Sequence, residues 1–277
     1  MERFQEIERS IITKYRKMIW SRFLKGCKEF ELVNEGDRVA VCISGGKDSM
    51  LLAKCMQELQ RHSPVHFDLK FLVMDPGYNS RNRALIESNA ALMRIPVEIF
   101  ESDIFDAVAE IGKNPCYMCA RMRRGFLYRR AQELGCNKIA LGHHFDDVIE
   151  TLLMSIIYGA QVQGMPPKLH SKNFEGMELI RPLYYVKECD IVAWKNYNKL
   201  EFLRCACRFT ERCETEKEEA SKRLLIKNLI AELKKGENNV DINIFRSAYN
   251  VHVDTLISYD TKGKEYPFLQ RYDGHDE

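Results

Sequence analysis

The sequence predicts an α/β fold: a Rossmann-like parallel sheet with helices on both faces, plus N- and C-terminal helical extensions. Three observations predict it. Short apolar runs, Arg38–Ile43 above all, alternate with longer stretches of helical periodicity, the order of a βαβ chain whose strands are covered on both sides. A glycine-rich segment, Ser44–Ser49, follows the first run and opens a helix. Two further polar loops, Asp75–Gly77 and Gly142–Asp147, follow the second and fourth runs, at the strand ends where such sheets bind ligands.

The elements follow in order. Residues 1–30 space Phe4, Ile7, Ile11, Ile12, Tyr15, Ile19, Phe23 and Leu24 as an amphipathic helix. Gly26 and then Asn34–Gly36 break it. Arg38–Ile43 is a buried strand, and a helix runs from Ser49 through Gln60. Phe67–Met74 is the second strand, Asn79–Met93 a helix, Val97–Phe100 the third strand and Asp103–Ile111 a short helix. Lys113–Cys116 reads as a loop and Arg121–Leu134 as a helix stopped by Gly135. Lys138–Leu141 is the fourth strand, and Val148–Tyr158 is a helix closed by Gly159. Gly164–Lys168 has the chemistry of a rigid loop, and Glu178–Arg181 reads as a fifth strand. Lys187–Asn196, Glu216–Lys235 and Asp241–Leu256 read as helices, and about fifteen polar residues at the end as frayed chain.

The composition is that of an ordinary globular protein, with 45% hydrophobic and 30% charged residues and 8 prolines among 277 residues. No apolar stretch approaches the roughly 18 residues of a membrane span. The charged start, MERFQEIERS, lacks a signal peptide, so a cytoplasmic protein with no membrane partner is expected. Its ten cysteines (27, 42, 55, 116, 119, 136, 189, 205, 207 and 213) then stay reduced, and close spacing favours metal or cluster binding over cross-links. Overall charge is near balance, 42 basic against 40 acidic residues, but its distribution is uneven. Arg121, Arg123, Arg124, Arg129 and Arg130 stand together with no acid in residues 116–130. Residues 1–30 carry eight Lys or Arg against four Glu.

Ser44-Gly45-Gly46-Lys47-Asp48-Ser49 has the makings of a phosphate cradle. Its glycines let backbone N–H groups turn toward an anion, the helix start adds unpaired donors, and Lys47 adds a full charge. Ser44 and Ser49 add hydroxyls, and Asp48 makes sense beside phosphates as a holder of Mg²⁺. The nucleoside-triphosphatase P-loop does not fit, because Asp48 stands where Ser or Thr should follow the lysine, and the dinucleotide GxGxxG is absent. The bland alternative is a tight strand-to-helix turn with solvated polar residues.

The hexapeptide after a buried strand resembles the PP-loop of the N-type ATP pyrophosphatases. The resemblance continues through Cys116-Tyr-Met-Cys119-Ala-Arg-Met-Arg-Arg-Gly125, Ala140-Leu-Gly-His-His-Phe-Asp-Asp147, Gly164-Met-Pro-Pro-Lys168 and Ile180-Arg-Pro-Leu183. In that order the blocks are similar to the tRNA 2-thiocytidine synthetase family (TtcA), over roughly residues 1–210. The resemblance implies three regions: a basic amphipathic helix over 1–36, a PP-loop pyrophosphatase domain with an iron–sulfur site over 37–210, and a C-terminal helical extension with a polar tail over 211–277. It also implies that Ser44, Gly45, Gly46, Lys47, Asp48 and Ser49 hold ATP phosphates, and that backbone at Met74 and Asp75 meets adenine.

Cys116 and Cys119 form a CxxC beside arginines. Buried thiols, a zinc ribbon and a redox pair are the alternatives. A zinc ribbon lacks its second CxxC at the usual distance, and a redox pair would follow the first strand of its fold. A cluster accounts for the set best. The resembled family holds a 4Fe-4S cluster with three cysteines, leaving one iron open to present hydrosulfide. Cys116 and Cys119 match the first two ligands; Cys205-Ala-Cys207 is one residue shorter than the family's second CxxC. Cys207 is the favoured third ligand, Cys205 the alternative and Cys213 a weaker candidate. Cys27, Cys42, Cys55, Cys136 and Cys189 read as structural.

In Gly142–Asp147, glycine allows close approach to a nucleotide, and Asp146 and Asp147 hold Mg²⁺ or cap the following helix. The family pattern favours Asp147 near the phosphates, and His143 is a candidate to touch phosphate or move a proton. Arg121, Arg123 and Arg124 are candidate RNA contacts, against the alternative of a solvated, ion-paired helix face. The basic N-terminal helix is a further RNA contact or a dimer surface. The resemblance thus implies an ATP-dependent tRNA thiolase. It acts on cytidine C2 in the anticodon loop, with tRNA, a sulfur donor (a cysteine desulfurase system or inorganic sulfide) and a second copy of the chain as partners. Thiolation of another RNA base or a small molecule, and a non-catalytic cluster- and nucleotide-binding sensor, are the rival readings.

Overall fold

The computed structural model describes residues 1–102, 115–203 and 214–272, leaving aside the side chains of 115–121 and 214–221. Of the sequence expectations, the helix at Asp103–Ile111 and the cysteines Cys205, Cys207 and Cys213 lie outside the described residues. The chain forms two compact units, Met1–Asn228 and Leu229–Glu277.

The first unit is built on a six-stranded sheet. Its strands are β1 (Arg38–Ile43), β2 (Asp68–Asp75), β3 (Val97–Glu101), β4 (Lys138–Ala140), β5 (Lys168–His170) and β6 (Glu178–Ile180), in the spatial order β3-β2-β1-β4-β6-β5. Every pair is parallel except β5 with β6. The short edge strand β5 carries only one apolar residue, Leu169, and that is partly exposed, so the apolar pattern that marks the other strands is missing there.

Side-chain alternation along β1 sorts the core into two faces. Val39, Val41 and Ile43 enter one cluster; Ala40 and Cys42 enter the other. The first cluster takes α3 (Lys47–His62) and α4 (Ser80–Leu92), through Met50, Leu51, Ile86 and Ala90. The second takes α5 (Pro115–Glu133), through Tyr128 and Ala131. Burial on both faces is why β1 reads as an unbroken apolar run. After β3 the chain returns to the opposite side of β1 to form β4. The C-terminal ends of β1 and β4 therefore diverge at a topological switch point, where open α/β sheets leave a crevice.

The N-terminal segment belongs to this unit's core. Sequence periodicity predicts one helix; the structure has α1 (Arg3–Ile12), a π-turn over Arg16–Trp20 and α2 (Ser21–Glu29). The buried residues Ile7, Ile11, Tyr15, Ile19, Phe23 and Cys27 recur every four positions. In a regular helix that spacing drifts by about 40° per step, and one wider turn brings the stripe back into register. The turn is marked by Trp20 N–H donating to Tyr15 O at 3.4 Å and Ser21 N–H donating to Arg16 O. Fully buried Lys54 staples this arm to α3 by pairing with Glu8 and donating to Met93 O at 2.8 Å.

Further helices are α6 (Phe145–Gly159), α7 (Glu188–Tyr197), α8 (Glu214–Gly236) and α9 (Val240–Ser247). Helix α9 ends well before Leu256, because Asn250 favours a turn and the β-branched Val251 and Val253 lose side-chain freedom in a helix. The polar tail is ordered over most of its length as a hairpin, β7 (Ser258–Thr261) and β8 (Lys264–Pro267), followed by α10 (Phe268–Tyr272). Its two-residue loop, Lys262-Gly263, takes positive φ at both positions, as a tight hairpin turn requires, and Tyr259 stacks on Tyr266 at 5.0 Å. No helix among the described residues is long and apolar enough to cross a membrane.

Candidate active site

A cavity of about 310 Å³ opens at the switch point. Ser44, Asp48 and Ser49 line it from the loop after β1, Met74 from the end of β2, and Gly142, His143 and Asp147 from the turn after β4. Tyr78, Arg123 and Leu127 also line it, and Cys42, Ile43 and Leu141 at the strand ends floor it. Three separate sequence blocks therefore meet in one space. A second cavity, which shares Ser44 and Asp48 with the first, is lined by Gly46 and Lys47 with Lys195 and Phe202.

The loop's shape follows from its residues. Gly45 has φ +81°, and a Cβ there would fall 2.7 Å from Ile86, so only glycine fits. Its carbonyl accepts Leu203 N–H at 3.1 Å. The Ser49 hydroxyl accepts Ser44 N–H at 3.2 Å and donates to Gly46 O at 3.0 Å, which pins the turn. Gly46 is the N-cap of α3 and no side chain caps that helix, so its first N–H groups are available to an anion.

Charge at the loop is already engaged. Lys47 Nζ lies 3.2 Å from Asp48 Oδ2 and 3.1 Å from Glu188 Oε1. Burial works against its charge, but the two carboxylates outweigh burial and raise its pKa. Burial raises the Asp48 pKa despite His144 and Lys47 nearby. Asp48 Oδ1 is buried with no hydrogen-bond partner among the described residues. An orphaned carboxylate oxygen at a phosphate cradle is the feature a divalent cation would satisfy, so this residue fits a Mg²⁺ site.

The turn after β4 makes two caps. His144 Nδ1 accepts Asp147 N–H at 3.4 Å while Asp147 Oδ2 accepts His144 N–H at 3.0 Å, closing a reciprocal box at the start of α6. Asp146 instead accepts the N–H of Glu188 at 2.7 Å, capping the start of α7. Asp147 also faces Arg223 of α8 at 3.9 Å. Gly142 is needed for a different approach from the one its position suggests: its missing Cβ faces the backbone of Asp48 and Ser49. His143 lines the cavity; burial lowers its pKa to about 4, against the pull of Asp147, so it is neutral at ordinary pH. Its Nδ1 is buried with no hydrogen-bond partner among the described residues.

Asp75 is occupied by its own turn. Its carboxylate accepts Gly77 N–H at 2.8 Å and Tyr78 N–H at 2.6 Å and pairs with Arg83 at 2.7 Å. These bonds overcome burial and hold its pKa low. Its carbonyl takes Ser102 N–H at 3.0 Å. Met74 is the residue of that pair that lines the cavity.

Helix α5 begins at Pro115, earlier than the sequence reading, and takes Cys116 and Cys119 into its first turns. Proline suits the first helical position because its missing N–H has no partner to lose. Positions 116, 119, 123 and 127 then form one stripe. Arg123 and Leu127 of that stripe line the cavity, so the CxxC positions sit on its continuation. The side chains of Cys116, Cys119 and Arg121 lie outside the described set. Arg123 is turned into the cavity wall, Arg124 and Arg129 are exposed, and Arg130 pairs with Glu98 and Glu133. Cys27, Cys42, Cys55 and Cys136 are buried, with the Cys42 thiol pushed up to about 12 by burial, whereas Cys189 is exposed. Sequence reasoning missed Glu188 and Arg223, which reach the loop and the β4 turn from distant helices, and Lys227, which pairs with Glu188.

The chain matches the PP-loop domain family over residues 15–208. It is 37% identical over 243 residues to a tRNA-cytidine(32) 2-sulfurtransferase of Coxiella burnetii, covering 85% of this chain and 90% of that one. It is 37% identical over 208 residues to the protein of the same name in Aeromonas hydrophila (74% and 68% covered). With that of Anaeromyxobacter dehalogenans it shares 33% over 263 residues (94% and 85% covered). Among solved structures, the U34-tRNA thiolase of Methanococcus maripaludis with its 4Fe-4S cluster superposes with a TM-score of 0.66 at 22% identity. That match covers 83% of this chain and 76% of that one, and is a likeness of fold.

Proposed function

We propose a function from this premise: the chain belongs to the PP-loop domain family and, with the relatives above, to the tRNA-cytidine(32) 2-sulfurtransferases. It is an ATP-dependent tRNA thiolase that replaces O2 of a cytidine in the anticodon loop by sulfur. The observation that carries the reading is the single cavity shared by the Ser44–Ser49 loop, the His143–Asp147 turn and the α5 stripe that carries the CxxC.

The reaction has two steps. The cytosine O2 attacks the α-phosphorus of ATP and pyrophosphate leaves. Sulfide then attacks C2; the C–O bond breaks, AMP leaves with the electron pair, a C–S bond forms and the sulfhydryl proton is lost. The chain's residues serve the first step by stabilising the departing pyrophosphate. The open N–H groups of α3, the hydroxyls of Ser44 and Ser49 and the ammonium of Lys47 bind it. Asp48, with its orphaned oxygen, would hold Mg²⁺, which neutralises phosphate charge; Asp147 lies on the same wall. Arg123 adds positive charge where the α-phosphate would lie, and Met74 offers an apolar surface to adenine.

His143, held neutral by burial, offers its unpartnered nitrogen to the base or the phosphate as a hydrogen-bonding group rather than as a charge. Cys116 and Cys119, with Cys207 or Cys205, would hold a 4Fe-4S cluster; three thiolates for four irons is a donor set that leaves one position open. When bound, such a cluster supplies a site for the incoming sulfide. The sulfide comes from a cysteine desulfurase system or from inorganic sulfide. Arg121 and Arg124, on the helix that carries Arg123, are the proposed contacts to tRNA phosphates.

The test is pyrophosphate release from ATP with and without added tRNA. Release that requires tRNA supports the thiolase; release at the same rate without RNA favours thiolation of a small molecule, and no release favours a binding protein.

A further inference from the structure

The loop lysine is held by a group outside the loop. Glu188 is the first residue of α7, 141 positions from Lys47, and one carboxylate oxygen lies 3.1 Å from Lys47 Nζ. The other oxygen pairs with Lys227 of α8. The Glu188 N–H is fixed by Asp146 at 2.7 Å, so the carboxylate is anchored through the same turn that lines the ATP cavity. The partial positive charge of the helix N-terminus also favours it there. Burial alone would raise its pKa, yet Lys227 and Lys47 together bring it down to about 2, so it is ionised at any working pH.

Lys47 therefore has two carboxylate partners before any phosphate arrives. It cannot give its full charge to a pyrophosphate group while both hold it. Asp48 is its chain neighbour and stays beside it; Glu188 is the partner that can be exchanged. Lys227 makes that exchange cheap, because it leaves Glu188 paired after Lys47 moves. Arg223, one helical turn earlier on α8, contacts Glu150 at 3.2 Å and keeps this part of the helix beside α6.

We propose that Glu188 is a positioning residue of the phosphate grip: it parks Lys47 in the empty site, yields it to pyrophosphate, and retains Lys227 as its counter-ion. The proposal rests on the ATP reading of the loop and adds a competitor for the lysine. It predicts effects of opposite sign at two residues of one ion-pair chain, which a purely structural role would not produce.

The experiment is calorimetric titration of the full-length protein with inorganic pyrophosphate and Mg²⁺. Glu188→Gln removes the competing charge and should tighten binding about three- to fivefold, the size of a partly buried ion pair. Lys227→Ala leaves Glu188 with Lys47 as its remaining partner and should weaken binding about threefold. In the double variant the Lys227→Ala effect should vanish. Weaker or unchanged binding in Glu188→Gln, with Lys47→Ala still abolishing binding, would overturn the inference but leave the ATP reading intact. Equal binding by wild type and Lys47→Ala, or none by either, would overturn both. Thermal melts of each variant establish that the folded protein is being titrated.

Discussion

A Cβ added to Gly142 would sit 3.0 Å from the amide nitrogen of Ser49. The turn after β4 thus packs directly on the first turn of α3, and the two halves of the cavity are set by one backbone contact. Gly142→Ala must push the loop and helix apart, since the obstructing atoms are backbone. A shift of that kind costs about 1–3 kcal/mol, so ATP affinity should fall about tenfold, read by calorimetry. Unchanged affinity would show that the contact does not set the site.

Lys47→Ala and Asp48→Asn remove the charge and the carboxylate oxygen proposed to serve the leaving pyrophosphate. Each should lower tRNA-dependent pyrophosphate release about 100-fold, with tRNA affinity unchanged within a factor of about two in filter binding. Full activity in either variant contradicts the mechanism.

These sites differ in how plainly the sequence carries them. The loop and the β4 turn are legible because each is a local arrangement: glycines, hydroxyls and a charge placed between a strand and a helix. Strand β1 is legible because both its faces are buried, so Val39 through Ile43 form an unbroken apolar run. Glu188 is not legible, because what makes it part of the site is an ion pair to a residue 141 positions away. Arg123 and Arg124 look alike in a run of arginines; only the rotation of α5 turns the first into the cavity wall and the second to solvent. The π-turn in the N-terminal arm is hidden because Phe4, Ile12 and Leu24 fill the spacing of four out to the threes and fours of a plain helix.

Stability should depend on pH through Glu188. Its folded pKa, about 2, lies below the ordinary value of 4.5. The unfolded chain therefore binds the proton first on acidification. The stabilising contribution is complete above pH 4.5 and is lost as pH falls toward 2. The difference in melting temperature between wild type and Glu188→Gln should be largest at neutral pH and shrink through that window. A difference that stays constant from pH 7 to about 2.5 contradicts the assignment.

Glu8→Ala should destabilise the protein by about 3 kcal/mol in urea unfolding, because it leaves the fully buried Lys54 ammonium without its carboxylate. Replacing both residues together, as Glu8→Leu with Lys54→Met, should recover most of that loss. A single variant within about 0.5 kcal/mol of wild type would show that Gln57 and the Met93 carbonyl suffice.

Cys116→Ala and Cys119→Ala should each lower iron and acid-labile sulfide to background after anaerobic purification. Of the two late cysteines, Cys207→Ala should do the same and Cys205→Ala should not. Retention of iron in Cys116→Ala would rule out the CxxC as the cluster's anchor.

The most direct measurement is mass spectrometry of nucleosides from unmodified tRNA incubated anaerobically with the reconstituted protein, ATP, Mg²⁺ and sulfide. The account predicts 2-thiocytidine, formed at the anticodon-loop cytidine 32, absent when ATP is omitted and absent with Lys47→Ala. Cytidine recovered without sulfur from a reaction in which ATP has been cleaved to AMP and pyrophosphate would contradict it.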